Sequence, residues 1–138
     1  MMQRQFCAPL TAVDSVNTES ESEVSASKVI KAEDPYLSGH YPHFTIYPGI
    51  FIIESVGQAV RAHVTAHRGA TYGADLVEVS RVRFTAPLLP GNTLELDARI
   101  TPGDEDPDLL SVKAEARRED GARCAAMTLT FRLEDRNA

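Results

Sequence analysis

The sequence predicts an α+β domain in which one long central helix is wrapped by a five- to six-stranded antiparallel sheet. Three observations carry that reading. In the last third of the chain, apolar and polar residues alternate with period 2 through three successive runs, the mark of half-buried strands. A single segment, from Pro48-Gly49 to about His67, has helical spacing and more apolar surface than one stripe needs. Turn-forming residues separate the strands at short intervals, which makes antiparallel order follow. With 138 residues there is room for one domain, residues 1–138, around one core.

Taken from the N-terminus, Leu10 to Val16 reads as a short strand, followed by the polar stretch Asn17 to Ser22 and a second strand from Glu23 to Ala32. The helix comes next. Pro48-Gly49 opens it and Gly69 closes it. Ile50, Ile53, Val56 or Gly57, Val60 and Val64 recur at three to four residues, while Phe51, Ile52 and Ala59 widen the apolar surface, so the helix is expected to be mostly buried. Residues 76–84, LVEVSRVRF, form a strand whose apolar phase slips from Val77 and Val79 to Val82 and Phe84, as a bulge or sharp twist requires. Pro87, Pro90 and Gly91 then break the chain. Leu94, Leu96, Ala98 and Ile100 define the next strand; Leu110, Val112, Ala114 and Ala116 the one after; Ala125, Met127, Leu129, Phe131 and Leu133 the last. Their links, Thr101 to Asp108 and Glu119-Asp120-Gly121, are turn chemistry, and the second is a tight hairpin signal.

Composition narrows the function classes. The chain is 43% apolar and 25% charged, the profile of an ordinary soluble globular protein. Its net charge of -6 repels nucleic acid and anionic lipid, so neither is expected as a partner. No apolar run approaches the roughly 20 residues of a membrane-spanning helix. The opening, MMQRQFCAPLTAVDS, has no apolar stretch long enough for a secretory signal, and the expected location is cytoplasmic. Cys7 and Cys124 are too few for a disulfide framework and lack CxxC spacing, so both are expected to be small, buried or half-buried residues. Charge is unevenly spread: residues 34–92 carry 4 cations and 4 anions and hold all 4 histidines, whereas residues 93–138 carry 7 and 11. The neutral middle is where proton chemistry at neutral pH is to be sought.

Glu54 stands out there, a carboxyl on a helix expected to be buried, where an uncompensated charge is costly. Gln58 follows one turn later on the same side. The bland alternative is that Glu54 points to solvent or pairs with an arginine. Fourteen residues before it, His40 sits in the Gly- and Pro-containing loop Ser38-Gly39-His40-Tyr41-Pro42-His43-Phe44. Histidine titrates near neutrality, so His40 and a desolvated Glu54 would together supply a base and an acid at one pH.

The run GHYPHFTIYPGIFIIESVGQA resembles the active-site segment of the β-hydroxyacyl carrier-protein dehydratases of fatty-acid and polyketide synthesis, which reads approximately GHFPGxPxxPGxLxxEaxxQ. The His-to-Glu spacing, the Pro-Gly before the helix and the Gln after the Glu all match, and RVRFTAPLLPG is similar to that family's RFKRPVxPGD segment. The resemblance implies a hot-dog fold, assembled as a homodimer or higher oligomer with each active site at the subunit interface. It also implies that His40 removes the α-proton, that Glu54, kept protonated by apolar surroundings, donates to the β-hydroxyl, that the Gly49 N–H receives the thioester oxygen and that Gln58 orients Glu54. The substrate would be a 3-hydroxyacyl chain on an acyl carrier protein and the product a trans-2-enoyl thioester. Where the family has Gly and Pro after HFP, this chain has His43, Phe44 and Thr45, and the family's Pro-rich opening segment is absent. Such divergence fits a type II polyketide or polyene pathway better than housekeeping fatty-acid synthesis.

An acidic enzyme needs a local basic patch to dock an acidic carrier protein. Arg81 and Arg83 on one face of a strand, with Arg61 and Arg68 late on the helix, are the candidates. His63 and His67 at i and i+4, and His40 with His43, have metal-compatible spacing but no third ligand; they are expected to face solvent or line the site, with no metal and no cofactor. Two other readings stay open. One is a hot-dog thioesterase in which Glu54 activates water, and the other a non-catalytic acyl-binding subunit of a heterodimer.

Overall fold

The computed structural model describes residues 12–31 and 49–136. Six strands and one helix follow in the order β1 (Ser15–Asn17), β2 (Glu23–Val29), α1 (Gly49–Arg68), β3 (Tyr72–Phe84), β4 (Thr93–Pro102), β5 (Leu109–Arg118) and β6 (Arg123–Asp135). The strands form one antiparallel sheet ordered β1-β2-β4-β5-β6-β3. Consecutive strands β3 and β4 are therefore not neighbours. The 13-residue β3 is left on one edge, and the 3-residue β1 on the other.

The alternation in the sequence becomes the two faces of this sheet. Val24 and Ala26 of β2, Leu94, Leu96, Ala98 and Ile100 of β4, Leu110, Val112, Ala114 and Ala116 of β5, and Met127, Leu129, Phe131 and Leu133 of β6 are buried. They share one cluster with Ile52, Val56, Ala59, Val60 and Val64 of α1. The same phase carries Lys28 inward, 4% exposed, with its ammonium 3.9 Å from the Asp14 carboxylate. Ile50 departs from expectation. It belongs to the apolar stripe of the sequence, yet it is 64% exposed, whereas Ile52 beside it is 3% exposed.

Turn chemistry fixes the ends. Gly69, at φ 121°, stops α1 and lets the chain reverse into β3. Gly121, at φ 89°, completes the β5–β6 hairpin, in which the Asp120 carboxylate accepts from the Ala122 N–H and pairs with Arg118. The slipped phase of β3 is matched by register shifts between Leu76 and Glu78 and between Val79 and Arg81. β1 is shorter than expected and begins at Ser15; Leu10 and Thr11 lie outside the described residues. Cys124 is buried, reduced and, through that burial, less acidic than an ordinary thiol; Cys7 lies outside the described residues.

Candidate active site at the start of the helix

α1 begins at Gly49, so Glu54 stands in its second turn, near the end where unpaired backbone N–H groups and the helix dipole concentrate positive potential. Glycine is required there by contact. A Cβ on residue 49 would lie 2.7 Å from Cζ and 2.9 Å from Cε1 and Cε2 of Phe84, whose ring packs flat against the backbone. Beside that contact lies a cavity of about 320 Å³ lined chiefly by Ile50, Ile52, Phe84, Ala86, Leu88 and Cys124. Its walls are almost entirely apolar, suited to a hydrocarbon segment.

Two hydrogen bonds reach Glu54, and each of their donors is anchored by a further one. The Ala12 N–H donates to Gln58 Oε1 at 3.0 Å, which turns the amide so that Gln58 Nε2 donates to Glu54 Oε2 at 3.2 Å. Arg61 Nη1 donates to the same Oε2 at 3.4 Å, and Arg61 Nε donates to the Ala74 carbonyl of β3 at 3.3 Å. Arg61 thus links the carboxyl on α1 to the backbone of β3. The expectation of apolar surroundings is not met within one chain. The Glu54 side chain is 41% exposed and shares its oxygen with a guanidinium, the pairing that the bland alternative anticipated. His40 and His43 lie outside the described residues.

The four arginines do not form one patch. Arg61 is turned back along the helix to Glu54, and Arg68 ends α1 at the far side of a 20-residue helix, roughly 28 Å from Gly49. Arg81 and Arg83 remain together on the sheet face opposite the core. There they line a groove of about 1210 Å³ with Arg99, Lys113 and Arg123 against Glu23, Asp97 and Glu115. Of the helix histidines, His67 is exposed, as expected, whereas His63 is buried, and both have a structural task. His63 Nε2 donates to the Ser20 carbonyl at 2.8 Å and His67 Nε2 to the Thr18 carbonyl at 2.5 Å, with the rings stacked at 4.3 Å. They pin the β1–β2 connection to α1. Burial pushes the His63 imidazole below the usual histidine value; the Ser20 hydrogen bond opposes this, and His67 and Arg68 add to it.

Comparison with known proteins decides the family. Residues 16–125 match the ApeI-like family, described as ApeI dehydratase. This chain belongs to the ApeI-like dehydratases. The dehydratase is 36% identical over 100 residues to the 3-hydroxyacyl-[acyl-carrier-protein] dehydratase FabZ of Nitrosomonas europaea, covering 67% of this chain and 64% of that protein. It is 30% identical over 128 residues to the FabZ of Thermus thermophilus, covering 91% and 88%. Among solved structures it resembles the dehydratase heterocomplex ApeI:P of Xenorhabdus doucetiae, with TM-score 0.62, 20% identity and coverage of 91% and 99%. It also resembles the fluoroacetyl-CoA thioesterase FlK, with TM-score 0.68, 15% identity and coverage of 83% and 87%. These likenesses establish the hot-dog architecture that the ApeI-like dehydratase shares with them.

Sequence reasoning missed Arg61 as a partner of Glu54. The signal was present: Glu54, Gly57, Gln58 and Arg61 follow at i, i+3, i+4 and i+7, one stripe of the helix with a side-chain gap in its middle.

Proposed function

We propose that this chain eliminates water from 3-hydroxyacyl thioesters carried on an acyl carrier protein, with His40 as base and Glu54 as acid. The supporting observation is the carboxyl held in the second turn of a helix that opens at Gly49, in a segment whose His, Pro-Gly, Glu and Gln spacing is that of the dehydratases. Elimination must remove a weakly acidic α-proton and make hydroxide leave as water. His40 takes the proton from the α-carbon, the electron pair forms the double bond, and the β-C–O bond breaks as Glu54 gives its proton to the departing oxygen. The Gly49 N–H donates to the thioester oxygen, where enolate-like charge develops. Gln58 donates to Glu54 Oε2 and so steadies the carboxyl. The apolar cavity beside Gly49 receives part of the acyl chain.

Assembly follows from the sheet edge. β3 presents Leu76, Val77 and Val79 at 40%, 52% and 46% exposure along an unpaired edge, a surface that a second copy would cover by adding its own β3. A homodimer formed along that edge would permit a site shared between two chains. Arg81 and Arg83, both exposed on β3, are the docking cations that remain open to an acidic carrier protein. The bulky His43-Phe44-Thr45 stretch favours a specialised polyketide or polyene substrate.

The test is incubation with 3-hydroxyacyl thioesters of carrier protein and of coenzyme A, read by mass. Dehydration removes about 18 Da and leaves the acyl group attached. Release of free thiol would instead make the chain a thioesterase, and no change without an added second subunit would make it the acyl-binding half of a heterodimer.

A further inference from the structure

We infer that Arg61 is the positioning residue for Glu54, laid back across Gly57 so that its guanidinium fixes one carboxyl oxygen and leaves the other to the substrate. This rests on the reading of Glu54 as proton donor given above. Helical side chains lean toward the N-terminus, so an arginine two turns after Glu54 points back at it, provided nothing stands between them. Gly57 is that open space. A Cβ there would lie 3.1 Å from Arg61 Nη2 and 3.4 Å from Nη1. Glycine is a poor residue for a helix interior, yet this one is buried beneath the guanidinium.

The geometry assigns the two oxygens different tasks. Arg61 Nη1 and Gln58 Nε2 both donate to Oε2, and both donors are themselves anchored, to Ala74 O on β3 and to the Ala12 N–H. Both donors engage Oε2, so a proton passed from this carboxyl to the substrate would be carried by Oε1. As that proton leaves, negative charge appears on the carboxylate, and the Arg61 cation 3.4 Å away is placed to stabilise it. Stability alone does not account for the arrangement. With side chains 40% and 41% exposed, such an ion pair contributes little to folding.

The experiment compares steady-state dehydration of one 3-hydroxyacyl thioester by the full chain and by Arg61→Ala, Arg61→Lys, Gly57→Ala and Glu54→Gln. Arg61→Ala is expected to lower kcat about tenfold, or about 1.4 kcal/mol of barrier, with KM near its original value; Arg61→Lys restores part of the loss. Gly57→Ala keeps the arginine and improves helix propensity, so it folds even where Arg61→Ala does not, and it also lowers kcat by displacing the guanidinium. Unchanged kcat in Arg61→Ala and Gly57→Ala would overturn the inference, as would a rise in KM alone, which is the signature of a docking cation. Wild-type turnover in Glu54→Gln would instead remove the underlying reading of Glu54, whatever the Arg61 variants do.

Discussion

Replacing Gly49 by Ala tests the packing that builds the candidate site. The added methyl would sit 2.7 to 2.9 Å from three ring atoms of Phe84, against an ordinary carbon–carbon contact of about 3.5–4.0 Å, so the ring must retreat by about 1 Å. Overpacking of this kind costs about 1–3 kcal/mol. Phe84 is 49% exposed and can swing outward, which trims the net loss to about 1–2 kcal/mol. For a chain of this size that lowers Tm by about 3–8 °C. Urea and thermal unfolding of Gly49→Ala, Phe84→Leu and the double variant give the answer. The double variant should lose less than the sum of the two singles, because Leu removes the ring atoms that the methyl strikes. Gly49→Ala as stable as the parent, or strict additivity in the double variant, would refute the contact argument.

Other outcomes follow from the same geometry. His63 has a folded pKa below its ordinary value of 6.5, so as pH falls through 6.5 the unfolded chain takes up the proton first. Stability therefore drops with acidification in the window from 6.5 down to the folded pKa and levels below it; urea midpoints between about pH 5 and 7 should show this, and His63→Gln should flatten it. Val79→Lys on the β3 edge should leave the fold intact, since Val79 is already 46% exposed, but abolish the homodimer proposed above, as read by light scattering; a dimer that persists in the variant would place the interface elsewhere. His40→Ala and Glu54→Gln should each lose about a hundredfold or more in turnover, and mixing the two inactive proteins should restore activity if each site draws on two chains. Failure to recover despite demonstrated subunit exchange would put both residues in one chain.

Local physics made much of the architecture legible. The period-2 runs and the Gly121 turn are properties of neighbouring residues, so β4, β5 and β6 appear within two residues of where alternation placed them. The helix from Gly49 to Arg68 and the irregular phase of β3 were likewise readable, because Pro, Gly and the spacing of apolar side chains act over a few residues. The segment around Glu54 also carried its family in its spacing.

What the sequence alone could not determine depends on positions far apart along the chain. Strand order puts β3 beside β6, not β4, and so leaves an apolar edge that its composition alone would have assigned to a core. Glu54 reads as a carboxyl in grease until the packing of α1 on β3 anchors Arg61 at Ala74 and brings the guanidinium back over Gly57. His63 and His67 read as solvent-facing or site-lining residues until the fold brings the carbonyls of Ser20 and Thr18 over the helix. A side chain's identity sets which bonds it is able to make, whereas its partner is chosen by whichever distant segment the sheet carries within about 3 Å, and that is decided only when the whole chain has closed.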